Sequence, residues 1–107
     1  MKVVNILGTE YKVVTSNKNK DKNLERADGY CDHSIKKCVV DTFISEPGSL
    51  ANLDAYRKKV VRHELIHAFL FESGLGHESW AVNEEIVDWI ATQFPKMMKA
   101  FGEVNAL

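Results

Sequence analysis

Cysteine is scarce in this 107-residue sequence: only Cys31 and Cys38 occur, seven positions apart. That leaves no disulfide-stapled scaffold and no Cys-x-x-Cys pair, so two reduced, half-buried thiols are expected ahead of a facultative disulfide or metal ligation. No apolar run approaches the roughly 18 residues of a membrane-spanning helix. The opening "MKVVNILGTEY" lacks the long apolar stretch and small-residue cleavage site of a secretory signal. A cytoplasmic protein with no membrane partner is the expectation. Neither sign of charge dominates, with 14 Lys and Arg against 15 Asp and Glu. Nothing in that balance favours nucleic acid or an anionic surface as partner. Proline occurs twice, and no internal repeat or low-complexity tract is present. What remains is a chain 45% hydrophobic and 27% charged, enough for one core and one domain spanning residues 1–107.

The pattern of that hydrophobicity changes near residue 45. Before it, β-branched residues alternate with polar ones; after it, apolar positions recur every three to four residues. Strands followed by helices predict an α+β fold. "KVVNILG" and "EYKVVTS" are strand candidates joined by a tight turn at Gly8-Thr9. "NKNKDKNLERADG" reads as a solvated loop. "GYCDHSIKKCVVDTF" reads as a second hairpin, turning at Ser34-Ile35, with Cys31 opposite Cys38 and Tyr30 opposite Val39. Pro47-Gly48 centres a turn, with Ser49, Asn52 or Asp54 available to cap the helix that follows.

That helix, from about Leu53 to Ser73 with Gly74 as its stop, carries the chemistry. It is apolar nearly all round, which places it centrally. Yet its middle reads "RHELIH", placing His63, Glu64 and His67 among groups that should be buried. His63 and His67 are one turn apart on one face, so their imidazoles converge, and such a pair can hold zinc. Glu64, roughly 100° around the helix, lies beside the ion, positioned to take a proton from water. Shuffling this composition yields His-Glu-x-x-His only about once in a hundred chains. Burial of these groups is tolerable where a metal and a cleft compensate them.

A hydrolytic zinc needs a third protein ligand and an open position. A third His six residues after His67 would mark one common pattern, but that position is Ser73. "NEEIVDW", residues 83 to 89, offers Glu84 and Asp88 at i and i+4 on a second helix. One carboxylate can reach the metal while the other accepts the free ring N–H of a ligating histidine. Glu84 leads as third ligand, with Glu85 and His77 as rivals. Tyr30, His33, Tyr56 and His77 are candidate donors to a developing oxyanion.

Across residues 60 to 92, HELIH followed by Asn-Glu-x-x-x-Asp resembles the gluzincins, zinc metallopeptidases whose thermolysin branch carries both motifs. The small size is reminiscent of minimal gluzincins and of the ImmA/IrrE-type peptidases encoded on phages and mobile elements. The resemblance implies His63, His67 and Glu84 as zinc ligands, Glu64 as general base and acid, and Asp88 as the partner of His63. It also implies a small zincin-like domain in which a twisted antiparallel sheet of about four strands packs on the active-site helix. An edge strand of that sheet would bind an extended peptide, and "KKCVVDTF" is the candidate edge. The expected function is zinc-dependent hydrolysis of a peptide or protein substrate. The competing reading is a non-catalytic, zinc-binding regulatory or phage interaction protein.

In the second helix, Ile86, Val87, Trp89, Ile90, Phe94, Met97, Met98 and Phe101 recur at helical spacing as core or docking surface. Pro95 is expected to kink or end that helix near Phe94. Only "GEVNAL" follows Phe101, too little to build a far wall for a cleft. Self-association near the second helix, or occlusion by flanking residues, is therefore expected.

Overall fold

A computed structural model describes residues 1–107. Strands β1 (Lys2–Ile6) and β2 (Thr9–Ser16) form an antiparallel hairpin closed by Leu7-Gly8. Both turn residues have positive φ, 51° and 95°, as a type I′ turn requires, and such turns favour glycine in the second position. The turn therefore falls one residue earlier than expected. The Asn5 side chain accepts the Gly8 N–H at 2.8 Å and fixes it there.

The chain then crosses to the far side of the sheet through a short 3-10 turn, Lys22–Glu25, whose Leu24 is buried. Strands β3 (Gly29–Asp32) and β4 (Lys37–Asp41) form the second hairpin, with Tyr30 opposite Val39 and Cys31 opposite Cys38, as expected. The sheet differs from expectation in two respects: it is mixed, not antiparallel, and "KKCVVDTF", the expected edge, is not at its edge. Its order is β1-β2-β4-β3, and β4 runs parallel to β2. Strand β4 is thus interior, and the edges are β1 and β3. Three consecutive buried residues, Cys38, Val39 and Val40, are the mark of an interior strand, which does not alternate as an edge does.

Helix α1 (Leu53–Glu72) begins at Asn52, whose side chain accepts the Ala55 N–H at 3.1 Å. It ends in a Schellman motif: Gly74 N–H bonds Phe71 O and Leu75 N–H bonds Leu70 O, with Gly74 at φ 84°. The helix is less enclosed than its composition suggests. Val60, Glu64 and Ala68, one turn apart in succession, are its only fully buried residues, and Phe69 is 43% exposed. That stripe lies against the sheet, where Ile6, Tyr11, Cys38 and Ala68 form the core cluster. Another face of α1 receives α2 (Glu84–Glu103), capped by the Asn83 side chain.

Pro95 does not end α2. A proline inside a helix leaves the carbonyl four residues earlier without its partner, here that of Ala91. The Arg62 Nε–H from α1 donates to this oxygen at 2.7 Å, so the lost bond is replaced by an interhelical one.

Candidate metal centre

The site forms where β3, the middle of α1 and the start of α2 meet. A cavity of about 510 Å³ opens there, and Gly29, Tyr30, Lys59, His63, Glu64, His67, Glu84 and Asp88 are among its walls. Helical spacing sets His63 and His67 on one face of α1, with Nε2 atoms 3.2 Å apart. The Asn83 cap starts α2 just where Glu84 must point. Glu84 Oε2 lies 2.8 Å from His63 Nε2, and Oε1 lies 2.9 Å from His67 Nε2. One donor atom from each of the three residues falls within 4.8 Å of the others, so the group could hold a metal ion.

Electrostatics sharpens this. His63 Nδ1 lies 3.1 Å from Asp88 Oδ1; with the Nδ1–H donated there, Nε2 turns a lone pair toward the Glu84 carboxylate. Two ring nitrogens and a carboxylate at hydrogen-bond distance from one another are satisfied by N–H protons between them or by a shared cation.

Glu64 is the one charged residue in the protein's core, 7% exposed. Burial pushes its carboxyl up to about 7, opposed by nearby His63 and assisted by Glu84. Its shelter comes from Gly29. A Cβ at that position would lie 3.0 Å from Val60 Cγ1, 3.0 Å from the Val39 carbonyl and 3.3 Å from Glu64 Cγ. Only glycine lets the strand pass this close to the helix.

Asp88 meets His63 as the sequence suggested, but Lys59 is an addition that the sequence reading did not include. Its Nζ donates to the same Asp88 Oδ1 at 2.9 Å and, ahead of His63, holds the Asp88 carboxyl below its usual range. Lys59 is one turn before His63, and that spacing was the available signal. Among the rivals for third ligand, Glu85 lines a separate hollow with Ile86 and Trp89, and His77 packs edge-on against Phe71. Both stand outside the cluster. Of the candidate oxyanion donors, Tyr30, His33 and Tyr56 line the cavity and His77 does not. The Tyr56 hydroxyl donates to Asp28, which with burial raises it to about 12. The Tyr30 hydroxyl donates to Asp21. His33 stacks flat on Phe71, centroids 4.2 Å apart. Residues 102–107 are not among the cavity's walls. Trp80, Trp89, Met98 and Phe101 stand on the surface, each at least 40% exposed.

Fold and site together define an α+β protein with a His-His-Glu group between two helices. Compared with protein-family models, with curated proteins and with solved structures, the chain matches none. No helix is long and apolar enough to cross a membrane.

Proposed function

We propose that this protein is a zinc-dependent peptidase of gluzincin-like design. The observation that carries the reading is the convergence of His63, His67 and Glu84 on one point in the cavity that also holds the buried carboxyl of Glu64. Zinc suits this donor set, because two neutral imidazoles and one carboxylate with room for a fourth ligand are the usual makings of a hydrolytic site. Zn–N bonds of about 2.0–2.1 Å set tetrahedral donors about 3.3 Å apart, and the separations here are 2.8 to 3.2 Å.

Bound zinc supplies a Lewis acid that polarises a carbonyl and lowers the pKa of water toward about 7. The chain's own residues do the rest. His63 and His67 present lone pairs, and Asp88 keeps the proton of His63 on Nδ1. Glu64 accepts the proton of the attacking water and delivers it to the leaving amine, a task suited to a carboxyl tuned near neutrality. Strand β3, the sheet edge beside the cavity, can pair its backbone with an extended peptide. On this reading β3 would be the docking edge in place of the expected "KKCVVDTF", since β4 is interior.

Glu64→Gln tests the reading. It should retain zinc near stoichiometry while casein hydrolysis falls by at least ~10², the usual contribution of a general base. Equal hydrolysis by both proteins would end the mechanism. Zinc binding with no hydrolysis by the unaltered protein, on any unstructured polypeptide, would favour a regulatory zinc protein.

A further inference from the structure

We propose that Cys31 and Cys38 form a modification site: a dithiol that hydrogen peroxide closes into an intrachain cross-strand disulfide, Cys31 being the thiol oxidised first. The inference is independent of the hydrolytic reading, since it requires neither metal nor turnover.

Three observations carry it. Cys31 and Cys38 are directly opposed on antiparallel β3 and β4, so their side chains share one face of the sheet. Their sulfurs are 3.0 Å apart, and a disulfide needs about 2.05 Å, a closure of roughly one ångström that side-chain torsions can supply. Access is unequal. Cys31 is half-buried and lines both the main cavity and an outer hollow shared with Asn23, Asp32 and His33. Cys38 is fully buried at 0% exposure.

That asymmetry orders the steps. The Cys31 sulfur attacks one peroxide oxygen, the O–O bond breaks, and the departing oxygen leaves as water, making a sulfenic acid. His33 Nδ1, 3.6 Å from the Cys31 sulfur, is at hand to receive the thiol proton. The Cys38 sulfur then attacks the Cys31 sulfur, the S–O bond breaks, and the hydroxyl leaves as a second water with the Cys38 proton. Two thiols supply the two electrons that reduce the peroxide. Cys38 is a poor first target for a second reason: its hydrogen bond to Cys31, together with burial, pushes its thiol up. It is well placed to resolve the sulfenic acid.

The bond would form against the metal centre's wall. The Cys38 sulfur lies 3.8 Å from the Glu64 backbone carbonyl. Strand β3, which carries Gly29 past Glu64, would be pinned to β4.

The test uses the full chain without metal, exposed to hydrogen peroxide, then unfolded in an alkylating reagent and mapped by mass spectrometry. The unaltered protein should pass from two alkylated cysteines to none while remaining a monomer two hydrogens lighter, and dithiothreitol should restore both thiols. In Cys38→Ala, peroxide should stop at a Cys31 sulfenic acid that dimedone captures. In Cys31→Ala, the same dose should leave Cys38 alkylatable. Cys38→Val serves in place of Cys38→Ala if that variant does not fold, and the unaltered protein decides alone in any case. Cys31 carried on to sulfinic acid while Cys38 stays alkylatable would overturn the proposal, as would a disulfide-linked dimer.

Discussion

Lys59, Asp88 and His63 form a short hydrogen-bonded chain at the edge of the candidate metal site. Asp88 Oδ1 receives both the Lys59 ammonium at 2.9 Å and the His63 ring at 3.1 Å. A carboxylate shared in this way orients the imidazole, while Lys59 withdraws some of the charge that would make it a stronger ligand. Asp88→Ala should weaken metal binding by about 10- to 100-fold, and competition with a chromogenic chelator would measure it. Lys59→Met should move affinity the other way or leave it unchanged. If Lys59→Met weakened binding as much as Asp88→Ala, Lys59 would itself be holding the centre together. Gly29 matters for the opposite reason, since its value lies in having no side chain. Gly29→Ala would drive a methyl group into Val60, Glu64 and the Val39 carbonyl. Overpacking of this kind costs about 1–3 kcal/mol, which urea unfolding would register, and it should open Glu64 to water.

At the scale of elements, two polar ties fix how the helices sit. One joins the end of α1 to the sheet. The Glu72 carboxylate accepts from the Tyr11 hydroxyl at 2.7 Å, the Lys36 ammonium at 2.9 Å and the Thr9 hydroxyl at 2.8 Å. These bonds, that of Tyr11 foremost, lower its pKa from 4.5 to about 2. The unfolded chain takes up this proton near pH 4.5 and the native chain only near pH 2. The bonds therefore stabilise the fold above 4.5, and that contribution drains away as pH falls toward 2. Glu72→Gln should be less stable than the unaltered protein at pH 7, with the gap closing through that window in unfolding curves recorded at successive pH values. The second tie is Arg62 to the Ala91 carbonyl that Pro95 leaves free. Arg62→Met strands a part-buried acceptor, at about 1–3 kcal/mol. Adding Pro95→Ala restores a donor within α2 and should recover part of that loss. Simple additivity of the two changes would disconnect them.

For the whole molecule, an ion held by the His-His-Glu group would also be a clip between helices, because His63 and His67 belong to α1 and Glu84 to α2. A ligand that binds only the folded state stabilises it by about 2.7 kcal/mol at a hundredfold excess over Kd. For a domain of this size that corresponds to a rise in Tm of about 10–20 °C. Scanning calorimetry with zinc and with a chelator should show this interval, and His63→Ala should abolish it. An unchanged Tm would mean that the three donors do not close on an ion in solution.

Much of this was legible in the sequence because it is governed by short-range geometry. The i, i+4 spacing alone converges His63 and His67, and Gly74, with Asn52 among three candidate caps, marks the ends of the first helix through local capping bonds. Cys31 faces Cys38 because a tight turn dictates the register on either side of it. What only the tertiary structure decided concerns segments distant in the chain. Strand β4 lies between β2 and β3 because the chain crosses the sheet before turning back, and no local pattern encodes a crossing. Glu84, not Glu85 or His77, meets the histidines because of how α2 docks on α1. The sequence marks Pro95 as a break, and Arg62, 33 positions earlier in the chain, supplies the bond that lets the helix continue. Lys59 and Gly29 acquire their roles from neighbours on other elements. Capping, turning and helical spacing involve bonds between residues a few positions apart, whereas docking is set by the packing of faces that meet only once the chain has folded.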